Sequence, residues 1–151
     1  MNILETLHNE AAEAGVNVRY AYLGDNIKAM CVSIFGVKGI GINRSAIETP
    51  EEERMVLIHE LTHLELDLLY KFPFNGDSPE QKAERRRIEA KVNRKAIERA
   101  IPIKDLQRCI DKGMREIWEF AAELCFENRD IEYAINHYMS KGELAPTLSH
   151  D

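Results

Sequence analysis

The sequence predicts an α+β domain: an N-terminal helix, a small antiparallel sheet, then helices to the end of the chain. Three observations predict it. Apolar residues alternate between residues 16 and 43, whereas on either side they recur at three- and four-residue spacing. Glycine and proline punctuate the joints between these textures. At 151 residues, with 44% hydrophobic and 30% charged residues, the chain has the size and composition of one domain that buries its own core.

Residues 2–14 carry apolar side chains at 3, 4, 7, 11 and 12, a short amphipathic helix closed by Gly15. Val16, Val18, Tyr20 and Tyr22 alternate with polar or small residues as a strand does. Gly24-Asp25-Asn26 marks a turn, residues 28–35 (KAMCVSIF) a second strand, Gly36–Gly39 another turn and Gly39–Asn43 a third strand. A meander is the simplest topology for three consecutive strands. Thr49-Pro50-Glu51-Glu52 opens a helix over 50–70: Thr49 caps, Pro50 suits the first position, and Glu52 completes a capping box. Residues 72–78 read as a loop. Ser78-Pro79-Glu80-Gln81 repeats the start signal for a helix over 79–100, which Ile101-Pro102 ends. Helices at about 103–112, 115–126 and 130–141 follow, with Gly113 and Gly142 as stops, and residues 143–151 read as a flexible tail. Trp118, Phe120 and Phe126 read as core.

Charge and cysteine content narrow the function classes. Twenty Lys+Arg against 26 Asp+Glu give a net charge of −6, which weighs against nucleic acid as the main partner. Three widely spaced cysteines without a CxxC fit neither a disulfide framework nor an all-cysteine zinc site, and they point to the cytoplasm. No segment approaches 18 apolar residues, so no membrane span is expected.

Residues 59–63 read His59-Glu60-Leu61-Thr62-His63, an HExxH. Two histidines at i and i+4 share a helix face, so both imidazoles can reach one ion. Glu60, next to the first, flanks the position such an ion leaves open, where a carboxylate can take a proton from a metal-activated water. With 5 His in the chain, a shuffled sequence contains this motif about 0.02 times. Leu61, Leu64 and Leu68 form an apolar stripe beside the motif, and a His-Glu-His set on a buried helix wants a partner. A catalytic zinc needs a third protein ligand and an open fourth position. The next helix offers Glu80, Glu84, Glu89 and Glu98. Glu89 is best placed, in mid-helix on a stripe with Val92 and Ala96; its other explanation is an ion pair with Arg85. Glu80 has a capping-region explanation, and Glu84 precedes three arginines and reads as solvated.

The order HELTH, then Glu89, Asn93, Ala96 and Ile101-Pro102, resembles the ImmA/IrrE family of metallopeptidases. Val92 stands where that pattern has alanine and Lys95 where it has an aromatic residue. The resemblance spans roughly residues 16–140. It implies a single metallopeptidase domain over 1–142, with residues 1–103 the catalytic part and 104–142 a helical cap. It implies a zinc-binding helix pair, with His59, His63 and Glu89 as ligands and Glu60 as catalytic base. It further implies a cytosolic regulatory protease that cuts a helix-turn-helix repressor of a phage or mobile element. The contrasting reading is a DNA-binding or regulatory scaffold with a structural or vestigial metal site. In its favour stand a basic face over residues 82–99 and a helix-turn-helix-like pair over 115–140. Against it, the second helix of that pair opens Asp130-Ile131-Glu132, which meets phosphates badly. His137, Tyr133 and Tyr138 are candidate oxyanion donors. None of the cysteines has ligand spacing, and an exposed sheet edge within 16–43 can hold an extended peptide.

Overall fold

The computed structural model describes residues 3–69 and 78–144. It is α+β, with six helices and a three-stranded mixed sheet. The elements are α1 (Ile3–Glu13), β1 (Val16–Tyr20), β2 (Ala29–Ile34), β3 (Val37–Ile42), a single 3-10 turn (Arg44–Ala46), α2 (Pro50–Leu66), α3 (Pro79–Ala100), α4 (Ile103–Asp111), α5 (Ile117–Leu124) and α6 (Asn128–Ser140). The expected loop at 72–77 and the tail from 145 onward lie outside the described residues. No described helix is long and apolar enough to cross a membrane. The chain divides into two compact units, Met1–Ala96 and Ile97–Asp151.

In the first unit the expected all-antiparallel meander is corrected: strand order is β1-β3-β2, with β1 parallel and β2 antiparallel to β3. The physical reason lies in burial and in the first connection. Ile40 and Ile42 of β3 are fully buried, and the central position, paired on both edges, suits them. Residues 21–28 carry the chain from β1 across the end of β3 to β2. Buried Asn43 secures this crossing, its side-chain amide donating to Gly24 O (2.7 Å) and Ile27 O (2.9 Å). A two-residue turn, Phe35-Gly36, with positive φ at both positions (49° and 78°), then joins β2 to β3. That is the primed turn whose twist matches a hairpin.

The turn sets which backbone groups of β2 are spoken for. Ile34 and Val37 flank it as a hydrogen-bonded pair, and Asn43 N donates to Lys28 O at 2.8 Å, in the same phase. Lys28, Met30, Val32 and Ile34 therefore bond to β3, while Ala29, Cys31 and Ser33 turn their N–H and C=O groups to the free edge.

One sheet face packs on helices: α2 lies against β2 and β3, and α1 against β1 and α2. The core here comprises Leu7, Ala11, Val16, Ile40, Ile42, Leu57, Ile58, Leu61 and Leu64. The first turn of α2 is tied down by charge. Thr49 Oγ1 accepts from Glu52 N at 3.0 Å, as its capping role requires. The Glu52 carboxylate accepts from Glu48 N, one residue before the capping-box position, and pairs with Lys28. Buried Glu53 accepts from the Tyr20 hydroxyl at 2.8 Å.

The second unit holds α4, α5 and α6 around Ile101, Leu106, Phe120, Phe126, Ile131 and Ala134. Tyr138 donates to Ile101 O at 2.7 Å, which anchors α6. Phe120 and Phe126 are core, as expected, but Trp118 is 64% exposed. Two residues before Phe120 is about 200° around a helix, so the two cannot share a face. Glu143 N donates to Tyr138 O and Leu144 is buried, so the first two residues of the expected tail pack onto the unit.

Candidate metal centre

Helix α2 runs without interruption from its Thr49 cap through the HExxH. With Leu57, Ile58, Leu61 and Leu64 buried, the helix is held in the phase that brings His59 and His63 to one side, their rings 4.9 Å apart. The His63 side chain is 5% exposed and that of His59 23%.

The helix stops at Leu66, short of the expected residue 70, because Asp67 turns left-handed (φ 53°). Aspartate tolerates that conformation better than most residues. This early stop shapes the site. The chain folds back at once, and His63 Nδ1 donates to Leu68 O at 2.7 Å. The bond commits Nδ1 as a donor, so Nε2, which shares a hydrogen bond with Glu89, is the nitrogen that would hold a metal on losing its proton.

Helix α3 supplies the third group. Its start is a reciprocal cap: Gln81 N donates to Ser78 Oγ and Ser78 N to Gln81 Oε1, both at 3.1 Å. Val92 and Ala96 are fully buried, and Glu89, one turn earlier on their side, reaches both histidines. Glu89 Oε1 lies 2.9 Å from His63 Nε2, and Oε2 lies 3.1 Å from His59 Nε2. The ligand atoms of His59, His63 and Glu89 lie within 4.8 Å of one another, a group that could hold a metal ion. Two imidazole nitrogens and a carboxylate fit a divalent first-row ion as a three-ligand set. Burial pulls the His63 pKa down, but the bonds to Glu89 and Leu68 O and the Glu60 charge outweigh it, so the net shift is upward.

The other acids of α3 go elsewhere. Glu80 and Glu84 are exposed. Glu98 accepts from His137 Nε2 at 2.8 Å and from Lys141 Nζ at 3.0 Å. Of the candidate oxyanion donors, Tyr138 is committed to Ile101 O and His137 to Glu98, while Tyr133 is 41% exposed.

Glu60 is partly exposed and does not join the three-residue group. Its neighbour is a residue that spacing arguments passed over. Cys31 stands on the helix-facing side of β2. Its thiol pKa is pushed far above the ordinary range, first by burial, then by the Glu60 charge and a hydrogen bond to Glu60. Burial and the neighbouring Glu60 carboxylate together keep the thiol protonated. The signal for it was strand phase: in KAMCVSIF, Ala29, Cys31 and Ser33 share the side that packs on a helix. Cys109 and Cys125 lie in the second unit and belong to no metal-holding group among the described residues. No protein-family model matches the chain, and neither does any curated protein or solved structure.

Proposed function

We propose that the chain is a zinc-dependent endopeptidase of the ImmA/IrrE kind, with His59, His63 and Glu89 as metal ligands and Glu60 as general base. The observation that carries this reading is the convergence of two Nε2 atoms and one carboxylate from two helices, with a second acid, Glu60, next to the first histidine and outside that group. When bound, the zinc supplies a Lewis acid that polarises a carbonyl and makes water acidic enough to be deprotonated near neutral pH. Glu60 takes the proton from the attacking water and delivers it to the leaving nitrogen. The protonated Cys31 thiol is a neutral neighbour of Glu60 on the strand side of the site. Leu68 O keeps His63 in the ligating tautomer. An extended substrate lies along the free edge of β2, its backbone bonded to Ala29, Cys31 and Ser33, which brings a peptide bond past the α2 residues that β2 packs on. The substrate we infer is a cytoplasmic regulatory protein such as a helix-turn-helix repressor of a phage or mobile element.

A regulatory scaffold, the contrasting reading, draws on one observation: Arg86, Arg87, Lys91 and Arg94 of α3 are exposed and form no ion pair among the described residues. One experiment separates the two. The purified protein is incubated with a helix-turn-helix repressor of a phage or mobile element, with and without chelator, while bound metal is quantified. Cleavage that chelator stops, with one zinc per chain that His59→Ala or His63→Ala removes, is the expected result. One zinc per chain with the repressor left intact favours the scaffold. Undiminished zinc in both histidine variants overturns the site itself.

A further inference from the structure

The free edge of β2 carries none of the devices by which sheet edges usually avoid one another. The run Ala29–Val37 (AMCVSIFGV) is the longest uncharged stretch of the chain and contains neither lysine nor proline. Its backbone groups at Ala29, Cys31 and Ser33 bond to no described residue. On the sheet face away from α2, Met30, Val32 and Ile34 are 42%, 45% and 59% exposed, and Phe35 and Val37 continue the row past the turn. With Phe35 fully exposed and Val37 63% exposed, the row sets five large apolar side chains side by side in water.

The spacing of these groups and the absence of charge along the stretch fit a second copy of the same strand. Three edge residues two apart are symmetric about the middle one. A second copy of β2, antiparallel and related by a twofold axis at Cys31, sets Cys31 opposite its own copy and Ala29 opposite Ser33 of the other chain. Every free edge N–H and C=O of the strand then has a partner. On the outer face the same register places Met30 directly opposite Val32 of the second chain, an apolar pair in a non-hydrogen-bonded position where side chains approach most closely. A molecule of net charge −6 repels its copies, and this uncharged stretch is where they can meet without like charges facing.

We propose that β2 pairs with β2 of a second copy in this register, and that the resulting dimer is a resting state in which the substrate edge is closed. The pairing stands by itself; its inhibitory effect rests on the peptidase reading. Strand pairing covers only part of the apolar row, less than the ~800 Å² per partner of a standard interface, so the dimer is of the weak, reversible class.

Sedimentation velocity over a dilution series tests the pairing. The wild type should pass from dimer to monomer over micromolar concentrations. Val32→Lys, which places a charge on the outer face of the edge strand, should stay monomeric with an unchanged far-UV spectrum. Register is tested in a Cys31→Ser background: Met30→Cys and Val32→Cys chains, mixed and oxidised, should cross-link to a dimer, whereas either alone should not. This arm remains decisive if the lysine variant fails to fold. A wild type that is monomeric at every concentration, or a dimer with no cross-link between positions 30 and 32, overturns the pairing. At a chain concentration ten times the dimer dissociation constant, mass action leaves one chain in five monomeric, so the wild type should cleave repressor about five-fold more slowly per chain there than at a hundredth of that constant. Equal per-chain rates at the two concentrations overturn the resting-state role. Absence of cleavage at every concentration is a failure of the peptidase reading, visible as such because sedimentation does not depend on it.

Discussion

Glu60 and Glu89 are both carboxylates beside the same pair of imidazoles, yet they have different partners, and substitution separates their roles. Glu89 touches both Nε2 atoms, while Glu60 neighbours the buried Cys31 thiol and stays out of the ligand group. Glu60→Gln should therefore bind zinc as the wild type does but lose cleavage by about 10²–10⁴-fold, the usual worth of a general base. Full activity in a zinc-loaded Gln variant would remove Glu60 from the chemistry. Glu89→Ala should lose zinc affinity and activity together. Glu84→Ala and Glu98→Ala should lose neither, since Glu84 is exposed and Glu98 is engaged with His137 and Lys141. Competition against a chromophoric chelator measures the affinities, and a Glu98 variant as weak as the Glu89 one would refute the ligand assignment. At this scale much of the site was legible. The i,i+4 histidines are a local pattern, and the apolar stripe through Val92 and Ala96 turned Glu89 the same way. Cys31 and Leu68 O were not legible as partners. One reaches the site across a strand–helix contact, and the other comes from a left-handed Asp67 that no glycine announced.

Among elements, the helices announced themselves and the sheet did not. Caps at Thr49 and Ser78 and the Ile101-Pro102 stop are local signals, and α2 and α3 begin at the prolines those signals picked out. Strand pairing is non-local: alternation shows that β1, β2 and β3 are strands but not that β1 passes over β2 to join β3. The residue that decides this is Asn43, at the end of β3 and 1% exposed. Its amide holds the carbonyls of Gly24 and Ile27, and its Oδ1 accepts from Ser45 Oγ at 2.6 Å. Asn43→Ala removes the donor from both part-buried hydrogen bonds to those carbonyls. At about 0.5–1.5 kcal/mol net for each, the variant should lose about 1–3 kcal/mol of stability in urea. A loss under about 0.5 kcal/mol would mean that water serves those carbonyls equally well, and that something else holds the crossing.

Over the whole molecule, the candidate ligands are all in one of the two compact units. His59, His63 and Glu89 belong to Met1–Ala96, and α4, α5 and α6 to Ile97–Asp151. A metal that binds only the folded form stabilises what it binds by RT ln(1 + [L]/Kd), about 4 kcal/mol at a thousand-fold excess over Kd. That stabilisation acts on the helices that donate the ligands. Without a metal, His59, His63 and Glu89 meet through two ion-pair contacts, one of them also a hydrogen bond, which hold α3 to α2 far less firmly. The second unit has its own ties, among them Tyr138 to Ile101 O and His137 to Glu98, and none of them involves a ligand. Hydrogen exchange read by mass spectrometry, with zinc or with chelator, should therefore change unevenly. Chelator should cut protection in residues 55–66 and 85–96 by one to three orders of magnitude, while α5 and α6 keep theirs within a factor of about three. Equal loss in both units would mean that they open as one cooperative body, with the metal supporting all of it. No loss in either would mean that the histidines and Glu89 meet as an ordinary ion-pair cluster, and the metal centre would fall with that result.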